Sequence, residues 1–216
     1  MSAAEKIVLD ASSQQRPTFA SQNYDFFLVL DFEANGAEDR SIPMEIIEFP
    51  VLKVNSKTFE IESIFHQYVQ PMNAVTKFAT DITGITREMT TNQPDIKATL
   101  ELFHTWMQNE NLLSEEVSFI FVTCGDWDLK TQLPEETKRR SIPLPHYLKS
   151  WINIKKAFHA TLGTKGKTSM MGMLFKLNIT HTGKHHSGID DVKNIAKILA
   201  RLASEGHVYQ KTGEVK

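Results

Sequence analysis

The chain has 216 residues, 41% of them hydrophobic and 23% charged, enough for one domain with a substantial core. A formal net charge of −2 excludes a basic nucleic-acid coat, and the single cysteine, Cys124, excludes an intrachain disulfide and a thiolate-rich zinc site. No run of about 18 apolar residues occurs and the N-terminus lacks an apolar signal core, so an intracellular protein, cytoplasmic or nuclear, with no membrane span is expected.

Residues 1–23 are polar with weak periodicity and read as a flexible arm before a domain over 24–210, with 211–216 as a tail. Phe26-Phe27-Leu28-Val29-Leu30 is a continuous apolar run ending at Asp31, the pattern of a strand buried on both faces. Two further strands are predicted over 46–54 and 59–69. The turn residues Asn55-Ser56-Lys57-Thr58 between them predict a hairpin beside the first strand. A short helix and loop follow over 79–87. Pro94 opens a helix with Ile96, Leu100, Phe103 and Met107 on one face.

A second fully apolar strand, 117–123, ends at Cys124-Gly125, with a short helix beginning near Asp126. Trp151-Ile152-Asn153-Ile154 reads as a strand end running into a helix through Phe158, and Met170, Met171, Leu174 and Leu177 mark another helix. The last helix is the clearest. Ile189, Val192, Ile195, Ala196, Leu199, Leu202 and Ala203 recur at helical spacing, and Gly206 provides a stop. This order predicts an α/β domain with a mixed central sheet flanked by helices.

Acidic residues gather at the ends of these elements. Asp31 and Glu33 stand two apart after the first strand, which on continued strand geometry puts both carboxylates on one face. Two charges so close raise each other's pKa or demand a cation, and oxygen ligands favour Mg²⁺ or Mn²⁺ over zinc. Asp126 and Asp128 follow the second buried strand; taken alone they read equally as a helix cap and its first turn. His185-His186-Ser187-Gly188-Ile189-Asp190-Asp191 leads into the last helix, where a capped helix with exposed histidines is the plain alternative. Together the groups describe a site beyond the carboxyl ends of two parallel strands.

The spacing D-x-E, a mid-chain Asp and H-x-x-x-x-D resembles the DEDDh 3′-5′ exonucleases, a superfamily with the ribonuclease H-like fold. Leu30-Asp31-Phe32-Glu33-Ala34, Glu45-Ile46-Ile47-Glu48-Phe49-Pro50, Gly125-Asp126-Trp127-Asp128, Trp151-Ile152-Asn153-Ile154 and Ser187-Gly188-Ile189-Asp190-Asp191 are similar to the eukaryotic exoribonucleases that process histone mRNA ends and small RNAs. The run Phe121 to Lys130 looks most like the prion-protein-interacting branch. The resemblance implies that Asp31, Glu33, Asp128 and Asp191 hold two Mg²⁺ ions, with Mn²⁺ as a substitute, and that His186 is the general base. Asp126 and Asp190 are then structural. It places Glu33, Ala34, Thr83, Gly84, Trp127 and His186 along the terminal nucleotide, Trp127 either stacking or simply packing.

Where relatives carry Ala-Thr-Cys after D-x-E, this chain has Ala34-Asn35-Gly36, which puts any contact made by that Thr in doubt. The implied reaction is two-metal hydrolysis of RNA with a free 3′ end, single-stranded or overhanging, releasing nucleoside 5′-monophosphates. Lys138-Arg139-Arg140, Lys155-Lys156, and Lys165 with Lys167 read as solvated faces or as phosphate guides. Two rivals stand beside this: an exonuclease acting on DNA or short oligonucleotides, and a non-catalytic RNA- or protein-binding adaptor.

Overall fold

The computed structural model describes residues 18–38 and 41–215. Most of the expected arm, residues 1–17, lies outside them. Residues 18–23 lie against the body of the domain: Phe19 packs on Phe59 with ring centroids 4.5 Å apart, and Gln22 bonds the carbonyl of His207 at 2.9 Å.

A seven-stranded mixed sheet forms the middle layer. Its first strand, β1 (Phe26–Leu30), is central and nearly fully buried. It runs antiparallel to β3 (Glu45–Asn55) and parallel to β5 (Phe119–Thr123). β4 (Ile61–Tyr68) completes the expected hairpin with β3. β6 (Ser150–Asn153) lies parallel to β5, and a two-residue strand β7 (Gly213–Glu214) closes that edge, so part of the expected tail joins the sheet.

Asp31 and Glu33 are not on one continuous strand. Glu33 opens a separate strand, β2 (Glu33–Asn35), which pairs with β3 beyond the end of β1. Leu30 is registered with Val51 and Glu33 with Glu48, so the break at Asp31-Phe32 faces Phe49 and Pro50. Pro50 has no N–H to offer a partner. Pro50 thus cannot pair with a carbonyl of the break, and the Phe32 N–H is donated to Asp128 Oδ1 at 3.0 Å, which ties the break to the segment after β5.

Helices cover both faces. On one side α5 (Ile154–Leu162), α6 (Met170–Lys176) and α7 (Gly188–Ser204) pack over Phe27, Val29, Val122 and Ile152. The fully buried Val192, Ile195, Leu199 and Leu202 of α7 contribute about 1.5–3 kcal/mol each through burial. On the other side α3 (Ile96–Asn109) lays Ile96, Leu100, Phe103 and Met107 on Leu28, Leu30 and Phe121. Its N-cap is Asp95, whose side chain accepts the Ala98 N–H at 2.9 Å. The short helices α1 (Lys77–Thr83) and α2 (Arg87–Thr90) follow the hairpin, and α4 (Leu133–Arg139) continues a wide helical turn over Asp128–Gln132.

A buried ionic network sits beneath β2 and β3. Glu45 Oε1 accepts from Arg140 at 2.6 Å and from the Met72 N–H at 3.0 Å, while its Oε2 accepts the Asn73 N–H at 2.9 Å. Asn35 Oδ1 accepts the Thr76 N–H at 2.9 Å. Together they pin the loop that leads into α1. Arg140 is thereby a structural cation, as is Lys156, paired with Asp126 at 3.2 Å.

Candidate active site

The candidate site lies beyond the carboxyl ends of β1 and β5. Asp31 occupies the break after β1, Glu33 begins β2, and Asp128 stands in the first turn after β5. The fourth carboxylate, Asp191, arrives on the first turn of α7. Two contacts hold that turn against the sheet. Glu48 of β3, 1% exposed, accepts the Gly188 N–H at 2.9 Å and the Ile189 N–H at 3.2 Å, satisfying two orphan donors at the positive end of the helix. A side chain at Gly188 would be crowded: a Cβ there would lie 3.0 Å from the Asp31 carbonyl oxygen and 3.1 Å from Glu48 Oε2, so these neighbours would have to give way by a few tenths of an ångström.

The loop before α7 is organised by that helix. Asp190 accepts the Lys184 N–H at 2.9 Å, and Asn194 bonds both the N–H and the carbonyl of Thr182, at 3.1 and 2.8 Å. Asp191 Oδ2 accepts the His186 N–H at 3.0 Å, with His186 in the left-handed region at φ 66°. Donor atoms of Glu33, His186 and Asp191 all lie within 4.8 Å of one another, with His186 exposed. Residues separated by more than 150 positions thus meet at one point.

The electrostatics reflect this crowding. Burial, followed by the charges of Asp128, Glu33 and Asp191, pushes the Asp31 carboxyl well above its ordinary range. Burial, then Glu48, Asp191 and Asp128, raises Glu33 to about 8. Burial raises Asp128 to about 6 against the hydrogen bond from Phe32. Asp191 is raised by burial too, opposed by the His186 N–H and by His185. His186 is lowered, by burial and then by His185. Asp126 differs. Burial raises it, but hydrogen bonds from Trp151, Asn153 and Lys156 more than offset this, and its net shift is downward. It serves as an acceptor for Trp151 Nε1 at 2.9 Å.

An exonuclease family model, RNase T, matches residues 28–199, a span that holds every one of these groups. The chain belongs to the RNase T exonuclease family. Human ERI1 exoribonuclease 3 is 46% identical over 206 residues, covering 94% of this chain and 61% of its own length. Mouse 3′-5′ exoribonuclease 1 is 33% identical over 207 residues, covering 94% and 58%. The chain therefore spans about three fifths of the curated relatives it matches. Among solved structures, the nuclease domain of 3′hExo, a DEDDh family member bound to rAMP, superposes with a TM-score of 0.86 at 32% identity, over 91% of this chain and all of that one. A 3′-exonuclease described in 3′-end-specific recognition of the histone mRNA stem-loop superposes with a TM-score of 0.87 at 30% identity, over 92% and 70%. The fold is ribonuclease H-like.

Membership of this exonuclease family implies a divalent metal, and the donors fit one. The carboxylates are crowded enough to hold protons that a cation would displace, and carboxylate oxygens suit hard divalent ions. Two ammonium groups also reach the site. Lys155, in the first turn of α5, lowers Asp31 and Asp128, and Lys184 lowers Glu33. Lys155 belongs to the Lys155-Lys156 pair that reads in sequence as a solvated face or a phosphate guide. The reach of Lys184 is not visible in residue order, because it depends on where a flexible side chain ends.

Beside the carboxylates of this RNase T domain lies a cavity of about 740 Å³, within the roughly 300–1,000 Å³ of small-molecule sites. Glu33, Ala34, Thr83 and Trp127 line it, along with Phe78 and Ile82 of α1. Trp127 is 38% exposed and lines the cavity as well. Gly84 is not among the lining residues; the Lys184 ammonium covers its open face. Asn35 is fully buried, committed to the Thr76 N–H and the carbonyl of Ala74. Cys124 packs against the core, and burial pushes its thiol up, so it carries no reactive thiolate.

Proposed function

We propose that this domain is a metal-dependent 3′-5′ exoribonuclease that removes nucleoside 5′-monophosphates from RNA ends. The observation that carries the reading is the meeting of Glu33, His186 and Asp191 within 4.8 Å, beside Asp31 and Asp128, at the lip of a nucleotide-sized cavity. Asp31, Glu33, Asp128 and Asp191 would hold two divalent ions, Mg²⁺ by their hard oxygen donors, with Mn²⁺ in its place. When bound, such ions polarise the phosphoryl oxygens and acidify water.

The chain's own groups do the remaining work. His186, exposed and lowered below its usual pKa, is neutral at pH 7 and takes a proton from the attacking water. Asp191 fixes the backbone of His186 through the N–H bond at 3.0 Å. The terminal nucleotide occupies the cavity, with Ala34 and Thr83 as walls and its base against Trp127, Phe78 and Ile82. Lys184, over Gly84 and near Glu33, offers a cation to an incoming phosphate. The choice of RNA is supported by the exoribonuclease relatives and by the rAMP-bound neighbour.

Incubation with Mg²⁺ and RNA labelled at either end tests the proposal. Label at the 3′ end should leave at once as mononucleotide, and 5′ label should shorten in a ladder. A matched DNA strand should be cut more slowly. Release of 5′ label first, or no cleavage with either metal, would remove the assignment.

A further inference from the structure

Asp191 belongs to a second cluster of donors. Atoms of His181, His185 and Asp191 also lie within 4.8 Å of one another. His185 Nδ1 stands 3.2 Å from Asp191 Oδ2 and 3.4 Å from Oδ1. His181 meets the His185 ring edge-on, with centroids 6.2 Å apart. Its Nε2 is shut away from solvent and has no hydrogen-bond partner among the described residues. A buried nitrogen left without a partner is unfavourable, and a ligand bonded to it would remove that cost. The loop is also held ready. Asn194, fully buried, clamps Thr182 on both backbone atoms, and Lys197 bonds the Thr182 hydroxyl at 2.6 Å.

We propose that His181, His185 and Asp191 form a second metal site, selective for Zn²⁺, whose occupation slows the nuclease by taking up Asp191, the carboxylate shared with the cluster of Glu33 and His186. Two imidazoles and one carboxylate make a borderline-soft donor set that zinc takes and Mg²⁺ does not. Zinc bonds of about 2.1 Å in a tetrahedron put donor atoms about 3.4 Å apart, so only a small contraction of the cluster is needed. Water would fill the fourth position.

Asp191 cannot serve both clusters fully. Its Oδ2 stands 3.2 Å from His185 Nδ1 and also accepts the His186 N–H at 3.0 Å, so a zinc ion on that oxygen competes with an ion held beside Glu33. The rings of His185 and His186 are stacked at 3.9 Å, so a His185 that rotates to bind metal also displaces His186. The metal site stands on its own geometry; the inhibitory consequence rests on the exonuclease reading.

Dialysis of the protein against Zn²⁺ in millimolar Mg²⁺ tests the site without turnover. The wild type should hold one Zn²⁺. His181→Phe, which keeps ring volume and removes the orphaned nitrogen, should bind it at least about tenfold more weakly. His185→Gln should do the same, so the result does not depend on one variant folding. Thermal denaturation confirms that each variant is folded. In the RNA assay, micromolar Zn²⁺ should slow the Mg²⁺-supported rate of the wild type, while His181→Phe keeps its Mg²⁺ rate within about twofold and resists Zn²⁺. Zinc affinity unchanged in both folded variants, or no zinc held by the wild type, overturns the site. Equal zinc inhibition of wild type and His181→Phe overturns the regulatory role. Specific zinc retention with no hydrolysis in any metal would leave the site standing and bring down the exonuclease reading instead.

Discussion

The buried carboxylate of Glu48 receives the backbone N–H of Gly188 at 2.9 Å, so the strand beside Asp31 and Glu33 grips the helix that carries Asp191. Glu48→Ala leaves two donors at the start of α7 unpaired and removes a negative charge from its positive end. The expected loss is about 2–4 kcal/mol, a fall in Tm of about 5–15 °C. Glu48→Gln keeps an acceptor oxygen and should lose less than half of that. Equal stability of wild type and Glu48→Ala in thermal denaturation would show that the grip is dispensable.

Gly188→Ala tests the close approach rather than the hydrogen bonds. The added methyl meets the Asp31 carbonyl oxygen and Pro50 at 3.0 Å, and backbone on one side of the contact cannot yield easily. Overpacking of this kind costs about 1–3 kcal/mol. Because the helix must shift, Asp191 moves with it, and kcat should fall by about a hundredfold with KM little changed. A variant with normal kcat would mean the turn has slack that the distances deny.

Asp31→Asn removes one member of a mutually repelling group. Without metal its Tm should rise, since a neutral amide relieves the crowding that burial and Asp128 impose. With Mg²⁺ the rate should fall by more than about a hundredfold, because a direct ligand matters more than the supporting contacts that cost up to that much. His186→Ala should lose about 10²–10⁴ in rate yet retain metal binding, measured by the Tm increase on adding Mn²⁺. Wild-type turnover in either variant would remove that residue from its role.

The raised carboxyls set a pH dependence for the metal-free protein. Glu33 has a folded value of about 8 against an ordinary 4.5, so the folded state binds the proton more tightly than the unfolded state. That stabilisation is complete below about 4.5 and is lost as pH rises through 8. Asp128 adds a smaller loss between 3.8 and about 6. His186 and His207 are lowered from 6.5 and act in the opposite sense below that value. Tm without metal should therefore fall most cleanly between pH 6.5 and 8. Added Mg²⁺ should raise it more at pH 8 than at pH 6.5, as the ion displaces protons. A metal-free Tm that climbs across this interval would contradict the crowding.

The sheet and its last helix were readable because apolar runs and a 3.6-residue period survive in one dimension. Phe26–Leu30 lies in the centre of the sheet as its unbroken apolarity predicts, and the spacing from Ile189 to Ala203 matches the buried face of α7. The premise that put Asp31 and Glu33 on one strand face does not describe the chain. A break separates them, opposite Pro50 on another strand, a long-range pairing that local spacing does not encode. Glu48 was hidden for the same reason. Within Glu45–Asn55 it is one charge in a buried run, and its partners are 140 residues away. Trp127 in a tight turn reads more readily as core than as contact, yet the folded chain leaves it 38% exposed at the cavity wall.

The loop into α1 hangs from Glu45, Asn35 and Arg140, none of which touches the reacting groups, while α7 is fastened separately by Glu48 and Gly188. On the proposed function, the wall that would meet the base and the helix that carries Asp191 are thus held by different contacts. Substitutions along α1 would then be expected to alter which ends are accepted more than the rate of hydrolysis.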